Sequence, residues 1–227
     1  MVRKVFAREL QNARDDILLL GSMARQAVLD SVEALRARDH DAARRIIAQD
    51  REINARKYAL EENCLTLIAT QQPMAGDLRF LAAVLDISTE LERIGDYAKG
   101  ISRINIYLGH EPLVKPLVDI PIMAEKSMDM LRRALDAFVN QDVETARAIP
   151  QEDDEIDALY NQVNRDLIAL IIKNPDVIDR ANYLSWVAHN LERSADRVTN
   201  ICERVIYTVT GELVEFDAHE PFMSGLN

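Results

Sequence analysis

Apolar residues recur along the chain at alternating steps of four and three, the pattern of a helix that buries one face. The clearest run consists of Phe80, Val84, Ile87, Leu91, Ile94, Ala98 and Ile101. A second run lies about a hundred residues later and consists of Leu184, Val187, Leu191, Ser194, Val198, Ile201 and Val205. The two runs predict long amphipathic helices whose apolar seams pack inside a bundle.

Prolines mark most of the points where this periodicity stops, and they divide the chain into six predicted helices. The predicted helices cover residues of about 4–37, 39–70, 75–108, 117–139, 141–173 and 176–210. Asp39 and Asp142 are predicted to cap the second and fifth helices, because each follows a short polar break. Pro150 falls near the start of the fifth helix, so we expect a kink or a late helix start there.

The chain also repeats itself. Residues 91–96, Leu-Glu-Arg-Ile-Gly-Asp, return as residues 191–196, Leu-Glu-Arg-Ser-Ala-Asp, and the Asp50–Ile53 segment is echoed at 153–156. A period of this size suits a small bundle and is too long for a solenoid unit. We therefore predict an all-α protein of two tandem, similar three-helix bundles built from six long antiparallel helices. The predicted units are residues 1–110 and 117–210, followed by a loose C-terminal tail at 211–227.

Charge and composition narrow the classes of function. The net charge is -11, from 27 basic and 38 acidic residues, which argues against a general nucleic-acid binder and suits a cation or a basic partner. No apolar run approaches the length of a membrane span, so we expect a soluble, cytoplasmic protein. Cys64 and Cys202 lack metal-ligand spacing, and two reduced, packed thiols are expected.

The repeated motif carries a pair of carboxylates in each unit. Glu92 and Asp96 are one helical turn apart and therefore share a face, as do Glu192 and Asp196. On a helical wheel this face lies roughly 130° from the centre of the apolar seam. The carboxylates are therefore expected to flank the core rather than to lie inside the bundle.

The second helix of each unit places further oxygen ligands at the same level. A hairpin centred on Pro73 brings Asp50 level with Asp96 and Asn54 level with Glu92. The second hairpin, centred between residues 174 and 175, brings together the equivalent set, which is Asp153, Asp157, Glu192 and Asp196. Four oxygen-bearing side chains are thus predicted to meet in each unit.

Carboxylates that lie close together repel each other unless a positive charge sits among them. A metal ion is one source of that charge, and hard oxygen ligands suit Fe, Mn, Mg or Ca better than Zn. The other source is Arg93, Arg193 and nearby lysines on a solvated face. His189 has Thr89 as its counterpart and is interpreted as incidental. No motif for a phosphate loop, a nucleophile or a zinc protease is present, so no enzymatic activity is predicted.

Several segments together resemble the signature of the PhoU family. They are Gln71-Gln72-Pro73, Asp77-Leu78-Arg79 and the run from Leu91 to Ala98, with a weaker second copy at residues 191–196. The resemblance extends from about Phe6 to Thr210. It implies a cytoplasmic regulator of phosphate uptake that holds down phosphate-starvation genes when phosphate is plentiful.

The resemblance also implies ligands and partners. Family members bind metal clusters through Glu/Asp-x-x-x-Asp motifs on the bundle surface, which correspond here to Glu92, Asp96, Glu192 and Asp196. Iron is favoured by the resemblance, with Mn, Mg, Zn or Ca as alternatives. The implied partners are the ATPase subunit of the phosphate ABC transporter and a sensor histidine kinase, and the membrane is reached only through them. We also expect a homodimer and no nucleic-acid ligand. The alternative is a metal-free interaction module whose acidic pairs dock a basic partner.

Overall fold

The structure, a computed structural model, describes residues 2–216 and the side chains of residues 4–216. Within these residues there is no strand, and the chain forms seven α-helices and two 3₁₀ turns. The helices are α1 (Val2–Ala37), α2 (His40–Gln71), α3 (Ala75–Tyr107), α4 (Asp119–Asn140), α5 (Val143–Ala148), α6 (Asp153–Lys173) and α7 (Ile178–Thr210). The 3₁₀ turns are Ile149–Glu152 and Pro175–Val177.

The helices α5 and α6 together occupy the place of the predicted fifth helix, so the prediction of six long helices in an all-α protein is confirmed. The break between them is the 3₁₀ turn that contains Pro150. Proline lacks an N–H group and clashes with the preceding turn, which is why the regular helix stops there. The predicted caps also form, since Asp39 accepts from the N–H groups of Asp41 and Ala42, and Asp142 accepts from that of Thr145.

Three helices form each bundle, and the two bundles lie side by side. The first bundle consists of α1, α2 and α3, and the second of α4, α6 and α7 with α5 at its end. The bundles meet along α3 and α7, and α1 also packs against α4. Every residue of the two predicted seams is buried, and the buried side chains of both bundles form one continuous core. The repeated motifs therefore lie on the two helices at the centre of the molecule.

Polar contacts fix the position of α2 against α3. Asn105, which is buried, donates to the carbonyl oxygens of Ala34 at 2.9 Å and Asp39 at 3.2 Å, and so ties the turn between α1 and α2 to the end of α3. Arg38 in the same turn donates to Asn105 Oδ1 and to the Gly109 carbonyl. These bonds hold the register of the hairpin that carries the first acidic set.

A second polar group crosses the interface between the bundles. The guanidinium of Arg197 lies 3.4 Å from Glu90 Oε2 and donates to the Tyr97 hydroxyl at 3.3 Å. Asn200 also donates to Glu90 Oε2, at 3.3 Å. Further along α7, Arg204 lies 3.4 Å from Asp86. The helices α3 and α7 are thus joined by charge pairs as well as by the shared core.

The remaining expectations concern the thiols, the membrane and the tail. Cys64 and Cys202 are buried free thiols, as predicted, and burial raises the pKa of the Cys64 thiol to about 11.

No helix in the described part of the chain is both long and apolar enough to cross a membrane. After α7 the chain is not helical over residues 211–216, and the Phe216 N–H donates to Glu203 at 2.9 Å. Residues 217–227 lie outside the described residues, so the loose tail stays a prediction.

Candidate metal sites

The first acidic cluster is built on α2 and α3 and comprises Asp50, Glu92 and Asp96, with Asn54 beside them. Lys99 Nζ lies 2.6 Å from Asp50 Oδ2 and 3.2 Å from Asp96 Oδ1. Because both oxygens contact the same ammonium group, they are at most 5.8 Å apart. The hairpin therefore brings Asp50 level with Asp96, as the spacing about Pro73 predicts.

Asp50 is the most buried member of this cluster, with 4% of its surface exposed. Its Oδ2 accepts from Lys99 and, at 3.4 Å, from the Asn54 side chain. Its Oδ1 is buried and accepts no hydrogen bond from any residue the structure describes. A buried carboxylate is costly unless it is paired, so Lys99 is essential to this arrangement.

Glu92 lies on the rim of the same cluster. Burial, and then the negative charge of Asp96, raises the pKa of the Glu92 carboxyl, while the positive charge of Lys57 acts in the opposite direction. Lys57 also donates to Glu61 at 2.8 Å. The first cluster therefore contains two lysines of its own.

The second acidic cluster is built on α6 and α7 and comprises Asp153, Asp157, Glu192 and Asp196. Burial raises the pKa of Glu192 to about 7, and the negative charges of Asp196, Asp157 and Asp153 act in the same direction. The pKa of Asp196 is also raised by burial, against the opposing charges of Arg193 and Arg197. The second hairpin therefore brings Asp153, Asp157 and Asp196 close enough to act on the carboxyl group of Glu192.

Two basic side chains of α7 flank this cluster. Arg193 lies 3.4 Å from Asp196, and His189 Nδ1 lies 3.3 Å from Glu192 Oε2. His189, which the sequence analysis interprets as incidental, thus contacts one carboxylate of the second cluster. Glu192 Oε2 is itself buried and accepts no hydrogen bond within the described part of the chain. Sequence reasoning also failed to single out Lys57 and Lys99, although Lys99 follows Asp96 by one helical turn.

Carboxylate oxygens are suitable ligands for a hard cation, but the acidic side chains do not surround a common point where an ion could bind. Among residues 4–216, no three of the Asp, Glu, His and Cys side chains are gathered closely enough to hold a metal ion as they stand. Binding would therefore require the partly exposed acids to rotate inward. The second cluster offers more carboxylate oxygens than the first, since Asp153, Asp157 and Asp196 all act on Glu192. The first cluster fits less well, because Lys99 already lies between its carboxylates.

The raised pKa of Glu192 predicts how metal-free protein responds to pH. Since this pKa is about 7 in the folded state against an ordinary value of 4.5, wild-type protein loses stability as the pH rises from about 4.5 to about 7, and the loss is complete above pH 7. We expect Glu192→Gln to gain stability relative to wild type between about pH 5 and about pH 8, by roughly 1–2 kcal/mol after allowance for screening. Urea unfolding in the presence of a chelator measures the difference.

The control for this experiment is Glu33→Gln, because hydrogen bonding to Arg36 lowers the pKa of Glu33 instead. That variant should show no gain as the pH rises. An equal gain in both variants would mean that the effect comes from net charge and not from the environment of Glu192.

Two side-by-side three-helix bundles, each with the same acidic pair on its third long helix, define a duplicated helical-bundle protein. The family model described as the PhoU domain matches residues 17–104 and 120–205, which is one match in each bundle. The chain therefore belongs to the PhoU family.

Curated relatives and solved structures agree with this assignment. The chain is 34% identical over 222 residues to a phosphate-specific transport system accessory protein PhoU homolog of Clostridium acetobutylicum, covering 96% of this chain and 100% of the relative. It is 33% identical to the phosphate-specific transport system accessory protein PhoU of Escherichia coli K12, covering 91% and 86%. The crystal structure of the phosphate transport system regulatory protein PhoU from Streptococcus pneumoniae matches with a TM-score of 0.86 at 32% identity, covering 93% and 100%. That of PhoU from Pseudomonas aeruginosa matches with a TM-score of 0.85 at 32% identity, covering 91% and 100%.

Proposed function

We propose that this protein is a cytoplasmic regulator of phosphate uptake that represses phosphate-starvation genes when phosphate is plentiful. It acts by binding, without turnover, as a metal-binding adaptor between the ATPase subunit of the phosphate ABC transporter and the cytoplasmic part of a sensor histidine kinase. Membership of the PhoU family supports this role, since relatives are named as accessory or regulatory proteins of phosphate transport. We also propose that it works as a homodimer.

The metal-binding part of the proposal depends on the electrostatics of the second acidic cluster. Burial, and then three neighbouring carboxylates, disfavour the ionised form of Glu192, and one oxygen of Glu192 is buried without a hydrogen bond in the described residues. A cation at this place would relieve the repulsion and satisfy that oxygen. Oxygen ligands suit Fe, Mn, Mg or Ca. Iron is the first choice on the family resemblance.

The surface beside this cluster supports the binding of a partner protein. Trp186 is 61% exposed, and its ring meets that of His189 edge-on at 5.9 Å. His189 in turn contacts Glu192. A large exposed aromatic side chain next to charged groups is typical of protein interfaces, where tryptophan often contributes much of the binding energy. Metal binding and partner binding would then occupy adjoining surfaces.

The alternative function is a metal-free interaction module. Lys99 favours it for the first cluster, because its carboxylates already have a cation within the protein. In that case the acidic pairs would steer a basic partner surface toward the bundle through charge complementarity. Metal content distinguishes the two functions.

Metal analysis of protein purified without chelator tests the proposal directly. We expect wild-type protein to contain metal, and we expect a variant with Glu92, Asp96, Glu192 and Asp196 all replaced by Ala to lose it. A control variant replaces four exposed acids elsewhere, which are Glu33, Asp41, Asp129 and Asp136. Equal metal content in all three proteins would contradict a role of the clusters in metal binding.

The regulatory part is tested in cells with a phosphate-starvation reporter. Deleting the gene should switch the reporter on in rich phosphate, and the quadruple Ala variant should partly reproduce that effect. Circular dichroism should show that this variant remains helical, because the four side chains lie outside the two buried seams. A folded quadruple variant that represses the reporter normally would mean that regulation uses another surface.

A further inference from the structure

The first bundle contains a cavity of about 350 Å³ between α1 and α2, and Gly95 of α3 also lines it. Most of its wall is apolar and is formed by Leu19, Met23, Ala27, Ile46 and Ile53. Small-molecule sites in proteins are mainly apolar cavities of roughly 300–1,000 Å³ with a few polar groups that orient the ligand. The cavity is therefore large enough for a small organic ligand.

The second bundle is closed at the equivalent place. The helices α1 and α4 correspond with an offset of 100, and α2 and α6 with an offset of 103. Met23 and Ala27 are only partly buried, whereas their counterparts Met123 and Ser127 are fully buried. The opening is therefore a property of the first bundle and not of the repeated fold.

Polar side chains at the edges of the cavity show the same difference. In the second bundle, Lys126 on α4 contacts Glu155 on α6 at 2.6 Å and so joins the two edges. The counterparts of this pair are Gln26 and Glu52, which make their side-chain contacts within their own helices in the described residues. Gln26 donates to Asp30 at 2.8 Å, and Glu52 pairs with an arginine one turn further along α2. The edges of the cavity are thus not joined by an ion pair.

The cavity carries an excess of negative charge. Three acids, Asp30, Asp50 and Glu52, and one base, Arg56, line it. Lys99 contacts Asp50 from outside the lining, so three carboxylates face two basic groups. Arg56 neutralises Glu52 and Lys99 neutralises Asp50. Asp30 accepts only from a neutral amide and forms no ion pair with a described residue. A cationic ligand is therefore favoured over an anionic one.

Asp50 also offers a hydrogen-bond acceptor in the wall of the cavity. Lys99 and Asn54 both donate to its Oδ2, whereas its buried Oδ1 accepts from no residue that the structure describes. An N–H group of a ligand would satisfy this oxygen, and a charged donor forms the stronger bond. Met23 lines the same cavity, and its flexible side chain can shift to admit such a group.

We infer that the cavity between α1 and α2 binds a small organic cation, namely a protonated alkyl amine. Its chain lies against the apolar wall, and its ammonium group lies toward Asp30 and Asp50. The apolar wall favours an organic cation over an inorganic one, because aliphatic side chains offer no ligand to a metal ion. The volume suits a free small molecule, whereas a partner protein would need an interface of more than about 1,000 Å². The inference does not depend on the proposed function.

Isothermal titration calorimetry of protein dialysed against a chelator tests the inference, with hexylammonium as the probe. Three matched ligands separate charge from chain length, which are 1-hexanol, hexanoate and methylammonium. Hexylammonium should bind at least about ten times more tightly than 1-hexanol, because a hydrogen bond from a charged donor is lost in the alcohol. It should exceed methylammonium by at least as much, because the longer chain buries more apolar surface. Hexanoate should not bind.

Two variants close the cavity in different ways. Gln26→Lys copies the second bundle and places an ammonium group within reach of Glu52, and Ala27→Leu fills the cavity without a change of charge. Each should weaken hexylammonium binding at least about tenfold. Gln11→Lys is the control, because Gln11 also lies on α1 and donates to an aspartate four residues later, at 3.0 Å, but lies outside the cavity. That variant should bind hexylammonium as wild type does.

Several results would overturn the inference. They are equal affinity for hexylammonium and 1-hexanol, binding of hexanoate, and unchanged affinity in Gln26→Lys or Ala27→Leu. Tighter binding of Nα-acetyl-lysine methylamide than of hexylammonium would instead assign the cavity to a lysine side chain of a partner protein. Metal content should be the same in Gln26→Lys and wild type, so a failure here leaves the proposed function untouched.

Discussion

Replacing Lys99 with methionine is expected to destabilise the metal-free protein by about 3 kcal/mol. The methionine keeps an unbranched apolar stem but removes the ammonium group that lies 2.6 Å from Asp50. Asp50 is 4% exposed, and its other hydrogen bond, from Asn54, is long at 3.4 Å. The carboxylate would therefore remain buried with little compensation. Urea unfolding in the presence of a chelator measures the loss.

The comparison variants separate a buried pair from an exposed one. Lys126 contacts Glu155 at the same distance of 2.6 Å, but the two side chains are 45% and 64% exposed. Lys126→Met should cost less than about 1 kcal/mol, because water screens exposed pairs. In an Asp50→Asn background, the cost of Lys99→Met should fall to about 1 kcal/mol, since no buried charge is then left unpaired. A cost that stays unchanged in that background would show that Lys99 contributes through packing.

Replacing Leu191 with alanine is expected to destabilise the protein by about 3–4 kcal/mol. Leu191 is fully buried in the seam of α7, where α7 meets the rest of the core. Alanine would leave a cavity because helices on several sides fix the surrounding side chains. Thermal or urea unfolding measures the effect. This loss of stability is opposite in sign to the gain that we expect for Glu192→Gln above pH 7, although Leu191 and Glu192 are adjacent in the motif.

Leu65→Ala is the matched control, because Leu65 is 56% exposed on α2. Its cost should stay below about 1 kcal/mol. A similarly small cost for Leu191→Ala would mean that the seam of α7 tolerates cavities and that the repeated leucine serves something other than packing.

Most of the fold could be predicted from local patterns. The seams on α3 and α7 were visible because a side chain that faces a bundle core recurs every three or four residues. Proline positions gave the helix ends and the break at Pro150, since proline cannot continue a helix regardless of its surroundings. Asp39 and Asp142 were recognisable as caps because capping is a contact between near neighbours in sequence. All of these features depend on interactions within a few residues.

The candidate sites could be predicted only in part. The repeat identified Glu92, Asp96, Glu192 and Asp196, and hairpin spacing added Asp50, Asp153 and Asp157. Neither argument indicated that Asp50 is buried, because the burial of a polar residue depends on the helices packed over it. Neither revealed the contact between His189 and Glu192, which depends on the choice of rotamer on α7.

The sequence by itself determined that this protein is a duplicated all-α bundle, that it belongs with PhoU proteins and that each half carries an acidic pair beside its seam. Those properties follow from the periodicity, the internal repeat and the motif, which can all be recognised in the amino-acid sequence alone. The tertiary structure alone decided how each acidic cluster is neutralised. Lys99 can be read from the sequence one turn after Asp96, but its role as a counterion depends on the ammonium group that lies between Asp50 on α2 and Asp96 on α3. Electrostatic energy depends on distance and burial, and these are fixed only when separate helices pack together.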